Sequence, residues 1–408
     1  MRSKILNFIN KTHTYLILCS IFLLLLPNSI KVLSINYLSG IIYRGIILVL
    51  FGILGVISFT FNKQYKTKYF SIFISIYLAF SIISLCLTNA KPNLELKTLD
   101  YFFSLGEIAS TVISLIFIFS CLKSREINKI LIVKVLAYTS IVFIFLSFII
   151  DWNAIVSTFT EFDHSNYDVK SIFFDKNTFG LFLFAGCTSF CFLGINKNRL
   201  YLFGAVFSAL YSGIARAKTS LLISLILLIS SFVYCIVCDV KTKKIKNIII
   251  YFSVIFLVLM TSILIILKVG FFAKIFDVIF GDYGLIYDGK VVIRERFKNW
   301  SNKLISINSP LIWIFGYGER LAYTFAGRPI DNSYIYILLN GGLIKLILYI
   351  AILGYLVFNK TKISTSKINK VIGVVSIFSV VLYGLFEDCY LIGCSLPSLL
   401  FSLIILCI

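Results

Sequence analysis

The 408 residues include 38 Lys and Arg against 18 Asp and Glu, a formal charge of +20, yet 59% of the chain is apolar and the mean hydropathy is +0.98. Such a chain is no soluble globular domain. Its positive charge is dispersed over short segments with no basic domain to hold a duplex, which excludes a nucleic-acid binder. The apolar runs are far longer than the ~10 alternating residues of a barrel strand, which leaves an all-α polytopic integral membrane protein.

Taken in chain order, apolar segments long enough for spans of about 20 residues fall near 14–34, 40–61, 69–88, 102–122, 135–150, 171–195, 200–215, 219–238, 248–268, 333–358, 371–386 and 390–408. The expectation is one transmembrane domain over residues 1–408, with about twelve helices and one large extracytoplasmic loop at 269–332. The first segment follows Arg2, Lys4 and Lys11 as a signal sequence would. It is long, contains Pro27 and has no small-x-small cleavage pattern, so it is expected to stay as an anchor.

Charge sets the orientation, because translocation disfavours Lys and Arg in short outer loops. Placing 1–13, 62–68, 123–134, 196–199, 239–247 and 359–370 inside collects 20 of the 38 basic residues there, opposed only by Glu126 and Asp239. Both termini are therefore expected in the cytoplasm of a plasma (inner) membrane protein. Cysteine adds little: most of the ten lie in or beside apolar segments, and the large loop has none, so disulfides do not structure it. Cys235 and Cys238 form one CxxC with no second pair or His beside it, so no metal site is expected.

Three places break the apolar pattern on the expected outer face. The first, Phe173-Phe174-Asp175-Lys176-Asn177-Thr178, puts two ionisable residues one to two turns into the sixth span. There they cost several kcal/mol unless paired or hydrated. An aqueous cavity would explain them, as would Asp175 capping the helix while Lys176 snorkels to the interface. The second, Ala215-Arg216-Ala217-Lys218-Thr219-Ser220, places two cations on a very short outer turn against the charge bias. An anion site or an anchor to lipid headgroups would account for it.

The third is the loop, with eight Lys and Arg. In Arg294-Glu295-Arg296-Phe297-Lys298-Asn299-Trp300-Ser301-Asn302-Lys303-Leu304, the residues Phe297, Trp300 and Leu304 share a stripe at helical spacing. The segment is expected to be an amphipathic helix lying in the membrane interface, with Arg296 beside the stripe. Downstream, Gly316 and Gly318 permit tight turns around Tyr317, followed by Glu319, Arg320 and Arg328. Asp331 or Asn332 is a candidate N-cap for the tenth span. Within that span, Asn340, Gly341, Gly342 and Lys345 predict a helix break or close packing, with Lys345 reaching the outer interface.

All three places pair cations with a carboxylate or amide, and Arg grips phosphate oxygens in bidentate fashion. The composition suits a diphosphate held at the outer leaflet beside a carboxylate for proton transfer, as in a lipid-linked pyrophosphoryl sugar. On this reading Arg216, Arg294 and Arg296 hold the diphosphate and stabilise leaving-group charge, while Asp331, or else Glu319, takes the acceptor proton. Lys218, Arg320, Arg328, Asn332, Asp175, Lys176 and Asn177 complete the polar surface, and Trp300, Tyr317 and Tyr323 offer rings for sugar stacking.

The segments FFDKNTFG, ARAKTSLL, RERFKNWSNKLISINSPLIWIFGYG and DNSYIYILLNGGLI, taken in order over roughly 171–358, resemble the bacterial O-antigen polymerase and O-antigen ligase superfamily. The resemblance implies a glycosyltransferase C-like membrane fold and a metal-independent glycosyltransferase without a cofactor. Its substrate would be an undecaprenyl diphosphate-linked oligosaccharide, used to make O-antigen or capsular polysaccharide among membrane lipid, with a chain-length regulator protein as a partner. Ligases of this superfamily resemble one another in a His at the end of the large loop. Here that place reads Asp331-Asn332 with no His between 165 and 408, which favours the polymerase. A ligase moving polymer to the lipid A core, or a flippase for the same lipid-linked oligosaccharide, remains as an alternative. His164, in an acidic loop, reads as a solvated side chain.

Overall fold

The computed structural model describes residues 68–87, 129–160, 169–243 except 174 and 216, 286–287, 290–305, 307, 309–318, 321–322, 330, 332–363 and 367–387, with parts of 100–112, 247–253 and 400–404. The expected spans at 14–34 and 40–61, and most of those at 102–122, 248–268 and 390–408, lie outside these residues.

The described elements are α1 (Lys68–Cys86), α2 (Lys129–Ile150), α3 (Trp152–Thr160), α4 (Lys176–Asn196), α5 (Tyr201–Ile214), α6 (Lys218–Lys241), a hairpin of β1 (Ile286–Tyr287) and β2 (Lys290–Val291), α7 (Val292–Ile305), α8 (Pro310–Phe315), α9 (Ser333–Ile363) and α10 (Lys367–Phe386). Among the described residues the regular structure is helical apart from that hairpin, whose two-residue strands pair antiparallel. Among the described residues four helices are long and apolar enough to cross a membrane, at Ile130–Ile150, Lys176–Asn196, Lys218–Lys241 and Ser333–Phe358. The chain divides into two compact units, one of residues 133–302 and one of residues 1–132 with 303–408.

In the 133–302 unit α4 is the central helix, with 94% of its apolar window buried against 33% for α6. Lipid tails are as apolar as leucine, so helices in a membrane associate through close packing and small residues. A Cβ on Gly186 of α4 would lie 2.1 Å from Ser140 Oγ of α2, and one on Gly180 would lie 2.3 Å from Ala217 Cβ. These contacts exist only because the side chains are missing. The outer stripe of α2, Tyr138, Val142, Phe145 and Ile149, is at least half exposed and apolar, as a lipid-facing surface should be.

At one end of this unit Arg199 locks the α4–α5 connection to α6. Its Nε and Nη2 donate to Asp239 Oδ2 and Oδ1 at 2.7 and 3.1 Å, and its Nη1 donates to the Gly194 and Ile195 carbonyls at the end of α4. Asn247 Nδ2 and the Tyr251 hydroxyl also donate to Asp239. Burial opposes the charge on Arg199, but the Asp239 carboxylate carries its pKa above the ordinary arginine value.

In the other unit the dominant feature is a break in α9. Gly342 has φ 72° and ψ −174°, inside an otherwise helical run of 31 residues. The break lies about 14 Å along the axis from Ser333 at 1.5 Å per residue. Residues 309–318 pack into it: a Cβ on Gly342 would meet the Ile314 carbonyl oxygen at 2.0 Å, and one on Gly316 the Asn340 carbonyl carbon at 2.4 Å. Ser309 caps α8 by accepting from the Leu311 N–H, and the chain leaves α8 through Gly316 at φ 69°. Ser84 of α1 donates to the Phe315 carbonyl, and Phe80 stacks on Phe315 with centroids 6.3 Å apart.

Candidate functional site

The N-terminus of α4 is built by the segment before it. Asp151 accepts from the backbone N–H groups of Lys170 and Ser171, and Ser171 Oγ donates to the Phe143 carbonyl at 2.9 Å. Phe173 then fits between Phe143 and Phe182, each with its centroid 5.1 Å away. With the chain pinned there, Asp175 becomes the N-cap of α4, accepting from the Thr178 N–H at 2.8 Å and from Thr178 Oγ1 at 2.6 Å. Asp175 and Lys176 therefore stand at the mouth of the helix, with Asp175 exposed and Lys176 half-buried, rather than one to two turns inside it. The capping role is the one the backbone uses.

The same end of this unit receives the second motif. Residues 215–217 join α5 to α6, with the Ala217 N–H donating to the Ser212 carbonyl at 3.0 Å. The contact of Gly180 with Ala217 and Ser220 sets the first turns of α4 and α6 side by side. Further along, Cys187 Sγ donates to the Ser224 carbonyl, so the two helices run parallel. Each has a lysine, Lys176 or Lys218, as its first residue. The α4 N-terminus already carries the Asp175 carboxylate, whereas the α6 N-terminus has no side-chain cap, so it is the start of α6, beside the two lysines, that favours an anion. Asp175 and the exposed Asn177 complete the surface, and Arg216 of the same turn lies outside the described residues.

Arg294, Arg296 and Trp300 sit on α7, so the helical spacing read from the sequence is realised over Val292–Ile305. Its polarity pattern is partly inverted, because Lys303 is buried and Ile305 is 74% exposed. Leu304 packs on a cluster that includes Ile312, Tyr317, Leu321, Ala322, Ile330 and Leu339. Tyr317 is thus a buried ring of that cluster, a different place from the sugar-stacking surface expected of it.

Asn332 caps α9, its Oδ1 accepting from the Tyr334 and Ile335 N–H groups at 3.0 Å, while its Nδ2 donates to the Leu385 carbonyl. Ser333 Oγ donates to the Glu387 carbonyl, so the start of α9 is tied to the end of α10. Glu387 is itself 9% exposed, a buried carboxylate that the sequence reading passed over. Glu319, Arg320, Arg328 and Asp331 lie outside the described residues. The residues that flank them do not: Gly318 donates to the Asn340 carbonyl, Ala322 donates to Asn340 Oδ1, and Ile330 is buried in the cluster. Both ends of the 319–331 stretch are therefore anchored on one unit.

Lys345 departs from expectation. It is 2% exposed, its stem folded over Gly341, where a Cβ would lie 1.9 Å from Lys345 Cδ, and its Nζ sits 4.7 Å from the Tyr77 ring centroid. It is a buried cation stabilised in part by an aromatic face, not one reaching the interface. Only the absence of a side chain at position 341 lets it fold back this way.

Comparison with protein-family models, with curated proteins and with solved structures returned no match to this chain.

Proposed function

We propose that this chain is a polymerase of lipid-linked polysaccharide repeat units. It transfers the growing glycan from undecaprenyl diphosphate to a hydroxyl of the next lipid-linked repeat at the outer face of the plasma membrane. A bond forms between the anomeric carbon and the acceptor oxygen, and the bond from that carbon to the diphosphate breaks. The acceptor proton passes to a carboxylate, Asp331 or else Glu319, and undecaprenyl diphosphate leaves. Arg216, Arg294 and Arg296 stabilise the departing charge, where fixed cations act most strongly.

The observation that carries this reading is the side-by-side start of α4 and α6, which brings Asp175-Lys176-Asn177 and Ala217-Lys218 to one end of one unit. The ordered resemblance of 171–358 to the superfamily, and Asp331 in place of a loop histidine, support polymerase over ligase. A transporter is the second reading, supported by the discontinuous helix α9, since broken helices line the binding sites of many transporters.

Two experiments test the proposal. A strain lacking the gene is examined by gel for surface polysaccharide and for its lipid-linked pool. A core carrying one repeat and no ladder is the polymerase outcome. Long chains left on the carrier would mean a ligase, and single repeats trapped inside would mean a flippase. The second experiment replaces Arg216. Arg216→Lys is expected to lower polymer output although charge is kept, because the ammonium cannot bridge two phosphate oxygens. Normal polymer from a stably inserted Arg216→Ala protein would overturn the diphosphate role.

A further inference from the structure

In an uninterrupted helix the Leu339 and Asn340 carbonyls would accept from the N–H groups of Leu343 and Ile344, four residues on. The φ of +72° at Gly342 ends that register. The two carbonyls instead accept from Tyr317 and Gly318, at 2.6 and 2.9 Å. The segment after α8 thus takes over the acceptors that the break sets free, one N–H for one N–H. A span with open carbonyls at this depth would be costly, and the buried Gly316, Tyr317 and Gly318 are the protein that covers them.

We propose that this exchange is reversible, and that residues 309–318 are a strap with two states. With the strap docked, α9 is broken at Gly342. With it released, α9 runs continuously through Gly342 and the strap amides turn to water. Three features fit a balanced pair of states. The same two carbonyls are satisfied in both. The residues on each side of the docked contact are glycines at positive φ, Gly316 at 69° and Gly342 at 72°, and glycine at 342 also accepts an ordinary helical conformation. Asn340, whose Oδ1 holds the Ala322 N–H, is left with a buried Nδ2 that finds no partner among the described residues, a cost of the docked state.

The test is hydrogen–deuterium exchange on the purified full chain in lipid nanodiscs, comparing wild type with Gly342→Ala. Alanine strains the docked state, because its Cβ would fall 2.0 Å from the Ile314 carbonyl oxygen at an unfavourable φ, and it favours the continuous helix. The expected result is reciprocal: the amides of Tyr317 and Gly318 exchange at least about tenfold faster, while those of Leu343 and Ile344 exchange more slowly. Wild-type protection at 317–318, or loss of protection at both places while α4 stays protected, would overturn the strap. If Gly342→Ala loses protection throughout, including α4, Asn340→Ala decides. It removes the tether to Ala322 together with the unpartnered Nδ2, so a reciprocal change at the two places, in either direction, supports the proposal, and a change at one place alone or at neither refutes it. None of these outcomes depends on the enzymatic reading, which is decided separately by the polysaccharide profile.

Discussion

α4 and α9 are both apolar spans interrupted by glycines, and the glycines act in opposite ways. In α4, Gly180 and Gly186 keep helical geometry and serve by lacking a Cβ, so Ala217 and Ser140 approach a continuous, nearly wholly buried helix. In α9, Gly342 serves by its backbone, taking a φ that ends the helix and admits residues 314–318. The first use gives a tightly packed bundle in which α4 keeps one register. The second gives a span whose backbone bonds are completed by another segment, and so a place where the structure is able to change.

The sharpest way to break this comparison is to unlock the rigid side. Asp239→Ala leaves Arg199 partly buried without its carboxylate and is expected to destabilise the protein by about 3–5 kcal/mol, read as a lower midpoint of thermal unfolding in detergent. An unchanged midpoint would remove the Arg199–Asp239 pair as the lock on α4. Next, Gly186→Ala overpacks α4 against Ser140 and is expected to cost about 1–3 kcal/mol. Ser140→Gly in the same protein should recover much of that loss, since it removes the clashing atoms, and additive losses would argue that the helices do not meet there.

Smaller effects sharpen the contrast at the two helix starts. Asn332→Ala removes the cap of α9 and the bond to Leu385, for an expected loss of about 1 kcal/mol, seen as faster amide exchange in the first turn of α9. Asp175→Asn should change stability least, because asparagine caps helices about as well as aspartate. On the proposed polymerase function its polymer output is the informative readout: normal output leaves Asp175 as a cap alone, and reduced output from a stable protein assigns its charge to the proposed substrate site.

Local chemistry made part of this legible. The caps at Asp175 and Asn332 follow from a short polar side chain just ahead of an apolar run, and the turn at 215–217 from the gap between two such runs. The Gly341-Gly342 pair flagged a break or a close contact, and both occur. The Arg199–Asp239 lock was not legible, because its partners are 40 residues apart and nothing near either announces the other. Nor was the burial of Lys345, since snorkelling is the usual fate of a lysine near a span end, and here the Tyr77 ring of α1 and a bare Gly341 receive it instead. Nor were the burial of Lys303 and the exposure of Ile305, on either side of the Leu304 that packs on the cluster around Leu339.

By itself the sequence determined that the chain is helical and built for a membrane, where most of the described helices start and stop, and which short loops carry the positive charge. Each of these depends on the transfer cost of a residue and on hydrogen bonds within a few positions along the chain. The tertiary structure decided that α4 lies at the centre of its unit and that α4 and α6 begin side by side. It also decided that the carbonyls freed at Gly342 are taken by Tyr317 and Gly318. Those outcomes depend on which distant backbone fits into which gap, and a gap has no sequence until the segments that form it have packed.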